Sequence, residues 1–595
     1  MARSVVAIFT ALSVAGGAVH AQQRPARFRA EYTVEVRDTA ARLFHVTAVF
    51  SNIRQPSLDL ALPMWTPGWY TIENYGGNVL RFTVKDASGA RLTAPLTRVQ
   101  TWSVDTRGKD RIVAEFDYLA TVLAVNQAKI TDRYAFFTGT QLFLEPLGHR
   151  DVPATVRFVV PPGWRIVSAL RETADSTVFT ASDYDVLVDA PSVMGSFELA
   201  QFEVEGKPHL LVSTPAGAVD TTATLQFSRK FGDVIRTQSA IFGGLPYDKY
   251  LVFCFREPAE SNGSLEHLNS YVVVGSCSLS EGSLWFAAHE FFHLWNVKRI
   301  RPAEMWPYDY SHPNETPSLW VSEGLSNYYA DLTMRRAGLL ADSSFLSNLV
   351  STMGALESNE ARLYVSPGDA SVSTWRGLPV AFGANYYQQG HVLGALLDLS
   401  IRHDTRGRRS LDDVMRALYA QFYRRGRGFT ADDVVRVVSE VTGRDYADFF
   451  RRYVAGVEVP PYDTFFGYAG YRVERTEQAV GVLGAVSTPT DQGRRVYGVY
   501  PGTPAALAGV KDGDILTTAD GVPIQQAPLT GPGGWKVLDR AGRRMVLTIL
   551  RRGREERLSL TLGTRHEVIF RVSPDSAATP EQLALRHGWL SAAGN

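Results

Sequence analysis

The chain has 595 residues, 45% of them hydrophobic and 21% charged, with 61 basic side chains set against 61 acidic ones. At roughly 100–200 residues per domain, that length predicts three or four domains rather than one core. A net charge of zero removes the electrostatic reason to expect nucleic acid or an anionic membrane surface as a partner.

In chain order, the first feature is a leader. Arg3 precedes an apolar, small-residue stretch over residues 5–18, and Val19-His20-Ala21 offers small residues at the positions a signal peptidase reads. This predicts a secretory signal over residues 1–21, too short to span a bilayer. No cysteine directly follows the apolar run, so no lipid or other membrane anchor is expected, and the mature protein is expected in the periplasm or outside the cell. An oxidising compartment permits a disulfide between Cys254 and Cys277, the only two cysteines. The sequence leaves that bridge and a pair of buried thiols equally open.

Over residues 27–200 the apolar period is two. Tyr32, Val34 and Val36 alternate with polar neighbours, as do Val46, Ala48 and Phe50, then Val156, Phe158 and Val160. With frequent Gly, Pro and Asp breaks this predicts an antiparallel β domain. From 210 to 460 the period lengthens. Residues 284–295 are apolar on nearly every face, which predicts a buried helix. Leu393, Leu396, Leu397 and Ile401 recur at helical spacing. Ser410 with Asp413, and Thr430 with Asp433, look like helix N-caps, and Gly443 like a helix stop. The domain is mainly helical, with strands expected near Tyr250 and Tyr271. Pro460-Pro461 marks a boundary. Residues 466–563 again read as short strands between glycine turns, and 564–595 as a tail with one short helix over 580–588.

The chemistry concentrates at His289-Glu290-Phe291-Phe292-His293, an H-E-x-x-H pattern. Four residues advance a helix by about 400°, so both imidazoles leave one face a turn apart and reach the same ion. Zinc, one ion, suits two neutral imidazoles and a carboxylate with a fourth position left for water. Glu290 is then placed to take that water's proton as general base. Two histidines and a glutamate in so apolar a helix would be costly to bury without a compensating charge. For the third ligand, Glu304, Glu315 and Glu323 all qualify by spacing. Glu323 is favoured because its surroundings, Trp320-Val321-Ser322-Glu323-Gly324-Leu325, are apolar.

The run from His289 through Leu294-Trp295-Asn296-Val297-Lys298-Arg299-Ile300-Arg301-Pro302, with Trp320-Val321-Ser322-Glu323-Gly324, resembles the M61 peptidases, the glycyl aminopeptidase family. These are distant gluzincin relatives of the M1 aminopeptidases. The upstream run Pro63-Met64-Trp65-Thr66-Pro67-Gly68-Trp69-Tyr70 is similar to the family's N-terminal signature, and the likeness covers nearly the whole mature chain. The resemblance implies a gluzincin-like (thermolysin-like) catalytic domain and makes Glu323 the third ligand. Gly263-Ser264-Leu265-Glu266-His267 is similar to the family's G-G-L-E-H segment, which implies that Glu266 binds the substrate's α-ammonium. Ser264 departs from the second glycine, and would be strained if that backbone needed a positive φ. Tyr386-Tyr387-Gln388-Gln389-Gly390 resembles the Y-E-K-G segment of M1 enzymes, which implies that Tyr387, with Tyr386 as fallback, donates to the developing oxyanion.

Residues 501–516, Pro-Gly-Thr-Pro-Ala-Ala-Leu-Ala-Gly-Val-Lys-Asp-Gly-Asp-Ile-Leu, resemble a bacterial PDZ domain. That implies a groove able to take a peptide C-terminus, with residues 480–484 as the candidate carboxylate loop. The chain is therefore expected to be a multidomain α+β protein: an exported zinc aminopeptidase acting on peptides with a free, small N-terminal residue. The rival readings are a zinc endopeptidase, and a PDZ-bearing peptide-binding or chaperone-like protein with an inert site. The last predicts substitution among His289, Glu290, His293 or Glu323, and all four are intact.

Overall fold

The period-two residues form strands whose alternate side chains share one buried face. Arg29–Asp38 pairs with Leu43–Ser51 in a register that sets Tyr32 opposite Ala48 and Val34 opposite Val46. All four of these residues are buried. The computed structural model describes residues 27–591 apart from 218–219, 260–261, 276, 377–384 and 525–539. The expected leader lies outside the described residues. The first strand centres an eight-stranded sheet. Its pairing with Ala154–Val159 is parallel and departs from the antiparallel expectation. A long excursion through two further four-stranded sheets separates those strands and supplies the crossover that a parallel pair needs.

A five-stranded sheet then opens the second domain. Lys207–Thr214, Tyr250–Phe255 and Ser270–Val274 run parallel, and Gly263–His267 closes the sheet as an antiparallel edge strand. Cys254 and Cys277 form a disulfide, tying the central strand to the segment that leads into the motif helix. That helix, Leu284–Phe292, packs against Leu325–Arg336, which packs in turn on Tyr386–Asp404. Ser410 and Thr430 form capping boxes with Asp413 and Asp433 at Leu411–Gln421 and Ala431–Thr442, and Gly443 ends the latter at φ 69°. No helix among the described residues is long and apolar enough to cross a membrane.

The C-terminal portion is arranged differently from a domain followed by a tail. Tyr471–Val482 pairs residue by residue with Gly563–Pro574 in a two-stranded ribbon. Between its arms lies a small sheet beginning at Ala485–Thr490 and ending at Arg554–Thr561, with a short helix Pro504–Ala508 and a core of its own built on Val496, Leu516, Leu547 and Ile549. Within the candidate carboxylate loop, Val480, Gly481 and Val482 belong to the ribbon ladder, and only Leu483 and Gly484 lie beyond it. After the ribbon, Pro580–Leu590 is a helix that buries Trp589 in the helical domain, where its indole donates to Tyr328 Oη at 2.8 Å.

Candidate metal centre

The apolar motif helix seats His289 and His293 one turn apart, with their Nε2 atoms 2.9 Å from each other. His293 falls at the helix C-terminus, where its Nδ1 lies 2.7 Å from the Asn296 carbonyl. A donor proton on that nitrogen leaves the Nε2 lone pair facing inward, the tautomer a metal ligand requires.

Glu323 comes from a wide turn, Trp320–Gly324, with the i→i+5 bonding of a π-helix, just before the Leu325–Arg336 helix. Such turns re-aim one side chain and recur at functional sites. Its Oε2 lies 3.3 Å from His293 Nε2 and 3.7 Å from His289 Nε2. The turn approaches the Tyr386–Asp404 helix so closely that a Cβ on Gly324 would meet the Gly390 Cα at 2.4 Å. Gly390 thus serves helix packing, and the same contact brings Tyr386 and Tyr387 to the cluster. The Tyr387 ring stands 6.3 Å from the His289 ring and stacks on Tyr386 at 4.8 Å. Glu315 instead pairs with Arg376 at 3.2 Å, partly exposed. Glu304 sits in a separate short turn, Ala303–Met305.

One ligand atom each from His289, His293 and Glu323, an imidazole nitrogen or a carboxylate oxygen, lies within 4.8 Å of the others, and the same holds for Glu266, Glu290 and His293. Three carboxylates therefore converge on two imidazoles, each glutamate no more than 4% exposed. Burial disfavours the charged imidazole of His293. The carboxylates of Glu323, Glu266 and Glu290 outweigh it and push that pKa up to about 10. Burial likewise raises the Glu266 carboxyl, to about 8, against the pull of His293 and Lys298 and with the push of Glu323 and Glu290. Burial opposes ionisation of Glu323 too, but His293 and His289 hold it well below the usual carboxylate range. Lys298 offsets only part of this charge, because it is shared with Asp189. Its Nζ is 2.8 Å from Asp189 and 4.0 Å from Glu266. Such a pocket calls for added positive charge, and its two imidazoles and one carboxylate suit a divalent ion with an open position.

Several contributors were not singled out by sequence reasoning. Tyr70, from the β domain, donates to Glu323 Oε1 at 2.9 Å, leaving Oε2 to face the histidines. Gly68 lies over Glu266 at φ +99°, where a Cβ would come within 2.6 Å of both carboxylate oxygens. Lys298 also donates to the Pro67 carbonyl at 3.3 Å. Gly68, Tyr70 and Lys298 all lie in runs whose likeness was noted, but no local pattern gives their partners. Ser264 occupies an extended edge strand with no positive φ, so the anticipated strain is absent.

An H-E-x-x-H helix completed by a glutamate from the turn that leads into the next helix defines a metallopeptidase. Residues 31–196 match the Peptidase M61 N-terminal domain, 283–393 the M61 glycyl aminopeptidase domain, and 495–530 a PDZ domain. The chain belongs to the M61 peptidase family and carries a C-terminal PDZ domain. No curated protein matches the sequence. Among solved structures, an aminopeptidase N family protein from Idiomarina loihiensis superposes with a TM-score of 0.80 at 23% identity, over 94% of this chain and 100% of that one. Looser likenesses are an M1 zinc metallopeptidase from Deinococcus radiodurans and yeast LTA4 hydrolase in complex with bestatin. The first has a TM-score of 0.47 at 17% identity, over 73% of this chain and 94% of that one. The second has a TM-score of 0.48 at 12% identity, over 74% and 71%.

Proposed function

We propose that the protein is an exported zinc aminopeptidase that removes small N-terminal residues from peptides. The observation that carries this reading is Glu266. Its carboxylate is 3% exposed beside the ligand cluster, and its Oε1 has no hydrogen-bond partner. A peptide α-ammonium supplies both the missing charge and the missing donors. A divalent ion at His289, His293 and Glu323 plus one ammonium offsets the charge of Glu266, Glu290 and Glu323.

Zinc held by His289, His293 and Glu323 would polarise the scissile carbonyl and acidify the attacking water. Glu266 fixes the free amino terminus and so places the first peptide bond at the centre. It does so from an edge strand, Gly263–His267, where an extended substrate has backbone groups to pair with. Glu290 keeps Oε2 without a partner and takes the water's proton there. It then returns that proton to the leaving amine. Burial and the neighbouring Glu323 keep the Tyr387 phenol protonated, so it acts as a donor toward the developing oxyanion. The Gly68 backbone over Glu266 narrows the space beside the ammonium, which favours small first residues such as Gly or Ala. The leader supports export to the periplasm or beyond, and the Ala485–Thr490 edge strand supports capture of a peptide C-terminus by the PDZ groove.

The test is release of amino acid from Gly- and Ala-peptides by the mature protein, compared with N-acetylated versions and with the Glu290→Gln variant. Cleavage of free peptides alone, abolished in the variant while zinc stays bound, is the expected result. Equal cleavage of blocked peptides would remove Glu266 from its role and make the protein an endopeptidase. No turnover despite bound zinc would favour a peptide-binding protein.

A further inference from the structure

The general base has a second-oxygen partner that the proposed mechanism does not use. Ser264 Oγ donates to Glu290 Oε1 at 2.6 Å, and among the described residues that carboxylate makes no other hydrogen bond. The position is set by the sheet. Ser264 pairs with Val273 and Glu266 with Tyr271, and two residues along a strand point the same way. Ser264 and Glu266 therefore face the motif helix together, while Leu265 between them turns into the core. One short edge strand thus presents both the ammonium anchor and the hydroxyl that grips the base. Glycine at this position, as in the G-G-L-E-H form, has no side chain to do so.

We infer that Ser264 is a positioning residue for Glu290: its hydroxyl ties Oε1 and leaves Oε2 directed at the attacking water. A glutamate on a helix has several rotamers, and no second hydrogen bond selects among them here, because Oε2 has no partner. The hydroxyl selects the rotamer that keeps Glu290 beside the ligand cluster, with one carboxylate oxygen within 4.8 Å of a His293 nitrogen. By sharing a strand with Glu266 it also fixes the spacing between base and ammonium anchor, so a shift of the strand moves both together. This inference rests on the aminopeptidase reading for its kinetics, though not for its geometry.

The experiment compares the zinc-loaded parent with Ser264→Ala, Ser264→Gly and Ser264→Thr. General-base catalysis supplies roughly 10²–10⁴-fold, and a loosened base forfeits part of it, so the Ala and Gly variants should lose about ten-fold in kcat. KM for Ala-peptides should stay within about two-fold, because Glu266 still holds the ammonium. Ser264→Thr, which keeps the hydroxyl and suits a strand, should restore kcat. Zinc content should match the parent throughout. Crystal structures give a readout independent of turnover: one Glu290 rotamer in the parent and in Ser264→Thr, more than one in Ser264→Ala. Unchanged kcat in both the Ala and Gly variants, or a single unmoved Glu290 rotamer in Ser264→Ala, overturns the inference. A rise in KM at constant kcat would make Ser264 a substrate-edge residue instead. If the parent itself releases no amino acid from free peptides, the aminopeptidase reading has failed, and the rotamers alone decide the role of Ser264.

Discussion

Two β-rich modules flank the helical domain, and they relate to it in opposite ways. The N-terminal one shares its core, so that Trp65 of the first packs against Tyr308, Tyr310 and Trp375 of the second. It also brings Tyr70 to Glu323 and Gly68 to Glu266 in the candidate metal site. The PDZ module has a separate core and hangs from a two-stranded ribbon. A module whose apolar residues merge with its neighbour's is part of that neighbour's machinery. One with a closed core of its own is an attachment whose removal leaves the neighbour's packing intact.

Four measurements break or sharpen that contrast. The scale is set by Glu290→Gln, which should lower kcat by roughly 10²–10⁴-fold with metal content unchanged. Next is Trp589→Ala. A fully buried tryptophan replaced by alanine costs about 3–5 kcal/mol, so calorimetry should show a clearly lowered Tm even though the residue lies beyond the PDZ module. Tyr70→Phe removes one hydrogen bond to a ligand carboxylate and should weaken zinc binding by about 10–100-fold in a chelator competition. Unchanged affinity would demote the N-terminal module to a scaffold. The smallest effect is expected from replacing residues 483–562 by Asn-Gly, joining Val482 to its register partner Gly563 in a tight hairpin. Hydrolysis of short peptides should stay within about two-fold of the parent. A large loss would mean that the PDZ module takes part in the chemistry.

The paired histidines of the candidate metal site were the most legible part of the chain, because H-E-x-x-H is local and its geometry follows from helix pitch alone, whereas spacing left Glu323 among three glutamates. The capping pairs at Ser410 and Thr430 were legible for the same reason: both partners lie within one turn. What escaped is long-range. Tyr70 is 253 positions from Glu323, and nothing in Trp-Tyr-Thr near residue 70 names a carboxylate partner. Ser264 looked like a departure with a backbone penalty, when its neighbourhood is plain strand and its hydroxyl is what matters. The segment after residue 563 looked like a tail because alternating Glu567-Val568-Ile569-Phe570 has no turn linking it to its partner strand, which lies on the far side of a whole module.

The ribbon also dictates a schedule. Chains emerge from the ribosome N-terminus first, and domains tend to fold as units in that order. Here the helical domain is interrupted: its sequence is nearly all made by residue 470, yet the indole that completes its interior arrives only with residue 589. Arg402 and Arg336, which cap the carbonyls of Gly588 and Trp589, must wait as long. The newborn catalytic half therefore stays unfinished while the entire PDZ module is being synthesised, and a translation product stopped anywhere inside that module has His289, His293 and Glu323 but lacks the indole that fills the domain's interior.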